Sequence, residues 1–164
     1  MRTITVAVAE NDQNKRKQLE QYLRRHDQTI EILSDEKSFH NKKLERRLKS
    51  RDNLSLNANI VARTKRLKPR ILFLNTHQLK KESFDLLNAL NKHCPDTLPV
   101  VLVKEEADDS YVLKALENGA CGVVNCITPS FSVSKIIHTV AKGEPWVSRK
   151  ILAKMMKKII SPSH

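Results

Sequence analysis

The run Pro69-Arg70-Ile71-Leu72-Phe73-Leu74-Asn75-Thr76 constrains this chain more than any other stretch. A proline closes the helical spacing before it, apolar residues follow without interruption, and small polar residues end it. A strand covered by helices on both faces reads this way, because neither face calls for polar side chains. Two other runs have the same form: Ile4 to Ala9, ending in Glu10-Asn11-Asp12, and Val100 to Val103, ending in Lys104-Glu105-Glu106. Three such strands separated by helical patterns predict a parallel sheet with its site at the carboxyl edge. The middle strand ends on an amide, Asn75, so the chemistry available at that edge turns on this residue.

Between and beyond these runs the spacing alternates regularly. Asn11 or Asp12 can cap a first helix, whose stripe is Leu19, Tyr22 and Leu23. Thr29 to Leu33 reads as a short strand. A basic stretch follows, from about Glu36 to Leu54, in which only Leu44 and Leu48 are spaced to share a face, so it is expected to lie outside the core. Helical spacing resumes at Leu56, Ile60, Thr64 and Leu67. Phe84, Leu87 and Leu90 mark the next helix, and Val112, Leu113 and Leu116 another, capped by Asp108 or Asp109 and stopped at Gly119. Gly122-Val123-Val124 is a short fifth strand, and Val133, Ile136, Ile137 and Val140 form the fifth helical stripe. Five strands alternating with five helices predict an α/β, flavodoxin-like, doubly wound parallel sheet with helices on both faces. An extra C-terminal helix is added by Ser148 as cap and the stripe Ile151, Leu152, Met155 and Ile159.

Composition narrows the function. The chain has 164 residues, with 30 Lys+Arg against 18 Asp+Glu, a formal net charge of +12. That excess favours polyanions, nucleic acid first and an anionic membrane second, without naming a site. Three cysteines, Cys94, Cys121 and Cys126, suit a reducing compartment better than a disulfide framework. No apolar run approaches the roughly 18 residues of a membrane span, and a cytoplasmic location with no membrane partner is expected. Three glycines leave no phosphate-cradling loop. His26, His40, His93 and His138 show no metal-ligand spacing with the cysteines, and His77 reads as an exposed loop residue. No cofactor and no metal are expected.

The stretch Asp108-Asp109-Ser110-Tyr111-Val112-Leu113-Lys114-Ala115-Leu116-Glu117-Asn118-Gly119-Ala120-Cys121-Gly122 resembles the fourth helix and fifth strand of two-component response regulator receiver domains (CheY-like), of the LuxR/NarL class. Lys142-Gly143-Glu144-Pro145-Trp146-Val147-Ser148 is similar to the segment by which that class leaves its receiver. The resemblance covers about residues 3 to 150 apart from the basic stretch. It implies a receiver-like domain over 1–147, with the insertion at about 36–54, and a linker helix over 148–164. It also implies phosphoryl transfer from a phosphorelay partner to an aspartate on the third strand. Two acidic residues would hold Mg²⁺, with a hydroxyl residue after strand four and a lysine after strand five.

The chain departs from that pattern nearly everywhere. Asn75 stands for the aspartate, Glu10-Asn11 for the acidic pair with Asp12 as a possible substitute, Lys104 for the hydroxyl residue, and Asn125 or Cys126 for the lysine. An amide is not a nucleophile for acyl phosphate formation. The set reads as a degenerate phospho-acceptor pocket in a pseudo-receiver with no enzyme activity, and Lys104 is expected to pair with Glu10 or Asp12 in place of a cation.

Two functions from different classes follow. The first is a phosphorylation-independent receiver module of a LuxR/NarL-type DNA-binding response regulator, acting in transcription regulation as a homodimer through Ile151, Leu152, Met155 and Ile159. In that reading DNA is met only through a further C-terminal domain, with another regulator or a kinase as a possible partner. The alternative is a stand-alone basic adaptor, binding a partner protein or nucleic acid through the insertion and the last helix. A working phosphoacceptor using an unusual residue ranks third.

Overall fold

The computed structural model describes residues 3–10, 13–26, 28–34, 56–75, 82–103, 108–125 and 133–160. The strands are β1 (Ile4–Ala9), β2 (Ile30–Ile32), β3 (Ile71–Asn75), β4 (Leu98–Val103) and β5 (Gly122–Asn125). The helices are α1 (Gln13–His26), α2 (Leu56–Leu67), α3 (Glu82–His93), α4 (Asp109–Glu117), α5 (Val133–Ala141) and α6 (Arg149–Ile160). All four strand pairings are parallel, in the order β2-β1-β3-β4-β5. The doubly wound flavodoxin-like sheet expected from the apolar runs is therefore the observed fold. The basic stretch at 36–54 lies outside the described residues.

The continuous apolar runs have a direct structural cause. Successive side chains of a strand point to opposite faces, and here each face has its own core. Val6, Val8, Ile71, Phe73, Val100 and Leu102 meet Leu23 of α1 and Val133, Ile136, Ile137 and Val140 of α5. Their alternates Ala7, Ala9, Leu72, Leu74 and Val101 meet Leu86, Leu87 and Leu90 of α3 and Ala115 of α4. The α5 stripe is buried at all four expected positions.

Helix α4 differs from its expectation. Val112, Leu113 and Leu116 are only half-buried, and the buried residue is Ala115. Ala115 shares a core cluster with Val101 and Ala120. Its ends follow the sequence: the Asp108 carboxylate accepts from Tyr111 N at 2.8 Å, and Gly119, at φ 110°, turns the chain after Asn118. Phe84 of α3 meets Tyr111 with ring centroids 5.4 Å apart, and the Lys114 ammonium lies 5.0 Å from the Phe84 centroid.

Past α5 the chain returns along the free edge of β5. Trp146 N donates to Cys121 O at 2.8 Å, and Trp146 bridges Gly122 in parallel. A Cβ on Gly122 would lie 2.9 Å from both Trp146 Cβ and its carbonyl oxygen, so only glycine admits this approach. Ser148 Oγ then accepts from Ile151 N at 3.2 Å, which starts α6. The helix docks on α4: Ile151 is 4% exposed, and Asp109 accepts from Lys154 at 2.6 Å with Lys150 at 3.1 Å.

The hydrogen bond from Lys154, and next that from Lys150, holds the Asp109 carboxyl below its ordinary value. A depressed folded pKa stabilises the docked helix at neutral pH, and that contribution disappears as the pH falls from about 4 through the lower folded value. Acidification is therefore expected to lower the amide-exchange protection of α6, relative to the intrinsic rate at each pH, before that of α5. Equal exchange of the two helices down to global unfolding would show that Ile151 and Trp146 hold α6 unaided.

Candidate functional site

The carboxyl edge is built by the ends of the parallel strands. Ala9 pairs with Leu74, so Glu10 lies one step on, level with Asn75; Asn75 in turn pairs with Leu102, and Val103 with Asn125. Glu10, Asn75 and Asn125 are therefore brought to one edge, as their positions after apolar runs implied. Asn11, Asp12, Lys104 and Cys126 lie outside the described residues, as does the side chain of Asn125.

Asn75 sits at the centre of that edge. Its Oδ1 is buried and has no hydrogen-bond partner among the described residues. An amide oxygen shares its electron density with nitrogen and cannot act as the carboxylate nucleophile of phosphoryl transfer.

Among the described residues, a cation that the sequence did not single out lies beside the end of β1. Strand β2 is three residues long, and among the described residues the last ladder contact with β1 is Leu33 N to Val6 O at 2.8 Å. The next carbonyl on that side of β1, Val8 O, is met instead by Arg63 of α2, with Nη1 donating at 2.7 Å. Helical side chains lean toward the helix N-terminus, which for α2 is the direction of the carboxyl edge. Arg63 thus carries a guanidinium beside the end of β1, two residues before Glu10. The only sequence signal was its place on the flank of the Ile60–Thr64 stripe.

Mg²⁺ takes a nearly octahedral shell of oxygens with one or two carboxylates. Among the described side chains the edge offers one carboxylate, one amide and a guanidinium, and the guanidinium supplies no oxygen and sets positive charge against a divalent cation. No cluster of three or more metal-ligating side chains occurs among the described residues.

Four of the remaining candidates can be placed. His93 is exposed, and His138 Nε2 lies 3.3 Å from Thr29 Oγ1, tying α5 to the turn before β2. Cys121 packs against the β1–β3–β4 core, and burial pushes its thiol pKa up, as it does for Cys94. A raised pKa leaves less thiolate, the reactive form. His77 and His40 lie outside the described residues, as does the His26 side chain.

Of the four residues assigned to pairing, Ile151 is buried within the chain's own fold, on the helix that Lys154 ties to Asp109 of α4. Leu152 is 40% exposed, Met155 is half-buried, and the Ile159 side chain lies outside the described residues. The sequence stripe missed Met156, which is 59% exposed beside Leu152. No helix among the described residues is long and apolar enough to cross a membrane.

No protein-family model and no curated protein matches the chain. Solved structures do. A LuxR-family two-component response regulator from Aurantimonas sp. superposes with a TM-score of 0.69 at 11% identity, over 96% of this chain and 99% of that one. The isolated receiver domain of RcsB from Salmonella enterica serovar Typhimurium, in the presence of the phosphomimetic BeF3⁻, gives 0.62 at 10% identity, over 92% and 97%. A pilus assembly-related protein from Burkholderia pseudomallei gives 0.64 at 15% identity, over 90% and 94%. The fold is that of response regulator receiver domains, including those of the LuxR/NarL class.

Proposed function

We propose that the chain is a signalling module of the receiver fold that works without phosphorylation, by protein–protein contact, in a LuxR/NarL-type regulator. The observation that carries this is Asn75: the residue at the centre of the carboxyl edge is an amide, with its oxygen buried. Arg63 beside the end of β1 supports it, because a fixed guanidinium there supplies positive charge that a receiver otherwise draws from a metal ion. Contact with DNA, in this reading, belongs to a further domain. Intact-mass measurement after exposure to acetyl phosphate and Mg²⁺ tests the reading.

Self-association belongs to the same proposal, through the outward side of α6, where Leu152 and Met156 are exposed. Two copies each carry +12, so pairing should strengthen as salt screens their repulsion, whereas contact with nucleic acid should weaken. Light scattering is expected to show a dimer appearing at high ionic strength. The Leu152→Asp, Met156→Asp variant should stay a folded monomer there. A wild type that is monomeric at high salt and high concentration would end the dimer idea.

The alternative, a basic adaptor, is favoured by one observation: the exposed apolar pair on α6 is flanked by exposed Arg149 and Lys157.

A further inference from the structure

Leu152 and Met156 are the only large apolar side chains left exposed among the described residues. They are four residues apart, so they form one ridge along α6. The adjacent ridge is Arg149, Ala153 and Lys157, again at four-residue spacing and exposed throughout. Beyond it lies Lys150, 72% exposed even while it pairs with Asp109. The helix is not a loose tail. Ile151 is buried beneath it, Lys154 and Lys150 grip Asp109, and Trp146 fixes the approach to its N-terminus along β5. An apolar ridge beside a cationic one is thus held out on a docked helix, with the small Ala153 leaving room for close approach by another backbone.

We infer that this face of α6 docks an acidic amphipathic helix of another protein. The inference rests on the reading of the chain as a module that works by protein contact, and adds the partner's chemistry. Charge selects the occupant. A second copy, which takes up the same ridge only once high salt screens the charge, sets Arg149 and Lys157 against like charges on a body already at +12, so at ordinary ionic strength it yields the face to an acidic partner. A helix with apolar residues at i and i+4 and Glu or Asp along one flank covers the apolar ridge and meets the cationic one with opposite charge. A lipid surface is the poorer fit, because two aliphatic side chains without an aromatic give little to insert.

The probe is a labelled helical peptide with Leu at i and i+4 and Glu along one flank, titrated with the full chain and followed by fluorescence anisotropy. Saturable binding is expected. Leu152→Ser with Met156→Ser should weaken it about tenfold, and Arg149→Glu with Lys157→Glu about tenfold or more. Circular dichroism should be unchanged, since these side chains are exposed. A peptide with Gln in place of Glu should bind at least tenfold more weakly.

Binding indifferent to Leu152 and Met156 would be diffuse attraction to the +12 surface and would overturn the proposal. So would a low-salt dimer through the same residues that the peptide does not disturb. Tight binding to phosphatidylglycerol vesicles that the peptide cannot displace would make the face a lipid contact, which also overturns it. Absence of any binding by folded wild type overturns it as well. That result leaves the phosphorylation reading to its own intact-mass test.

Discussion

Incubation with acetyl phosphate and Mg²⁺ is expected to leave the intact mass of this protein unchanged. Phosphoryl transfer to a receiver needs a carboxylate oxygen that can attack phosphorus, a cation to offset charge on the transferring group, and donors for the product's oxygens. Asn75 lacks the first. The second is missing from the described donor set, where Glu10 stands level with an amide and Arg63 lies beside the end of β1. The Asn75→Asp variant separates the two causes. It restores a nucleophile and adds one carboxylate beside Glu10 but leaves the Arg63 guanidinium in place, so it too should remain unmodified. Modification of Asn75→Asp but not wild type would confine the loss of activity to one atom, and would mean that Mg²⁺ is still bound. An acid-labile phosphoryl adduct on the wild type would end the phosphorylation-independent reading.

The parts legible in the sequence are those fixed by local pattern. β1, β3 and β4 show continuous apolar runs because Val6 and Ala7, Phe73 and Leu74, or Val100 and Val101 face two different cores. The caps at Asp108 and Ser148 act within three residues, so residue type and spacing reveal them. Asn75 and Glu10 were readable as edge residues because each directly ends or follows such a run. What escaped depends on contacts distant in the chain. Asp109 meets Lys154 across 45 positions, so the self-docking of α6 on α4 leaves no local trace. The stripe Ile151, Leu152, Met155 and Ile159 has an inner edge at Ile151, and only the fold shows that this side chain is already buried. In α4 the stripe Val112, Leu113 and Leu116 outranks Ala115 in hydrophobicity, yet it is Ala115 that shares a core cluster with Val101 and Ala120. Arg63 was hidden for the same reason, since its role is set by where β2 stops.

The shortness of β2 makes Arg63 the second residue whose loss should be conspicuous. Val8 O belongs to a carbonyl with no further β2 residue to meet it among the described residues, and Arg63 Nη1 fills that position at 2.7 Å from 55 residues away. A hydrogen bond from a charged donor contributes more than a neutral one, and leaving a buried carbonyl without its donor costs about 1–3 kcal/mol. The lost packing of the arginine stem along α2 adds to this. Arg63→Ala is therefore expected to lower stability by about 3 kcal/mol, read as an earlier urea midpoint at unchanged slope. Arg63→Lys should recover only part of the loss, because an ammonium offers a point charge and not a planar fork. Arg63→Met keeps the stem and removes the donor, so it separates packing from hydrogen bonding. If Arg63→Met unfolds at the wild-type midpoint, the guanidinium contributes nothing to the edge, and Arg63 cannot be the fixed charge that stands there in place of a metal ion.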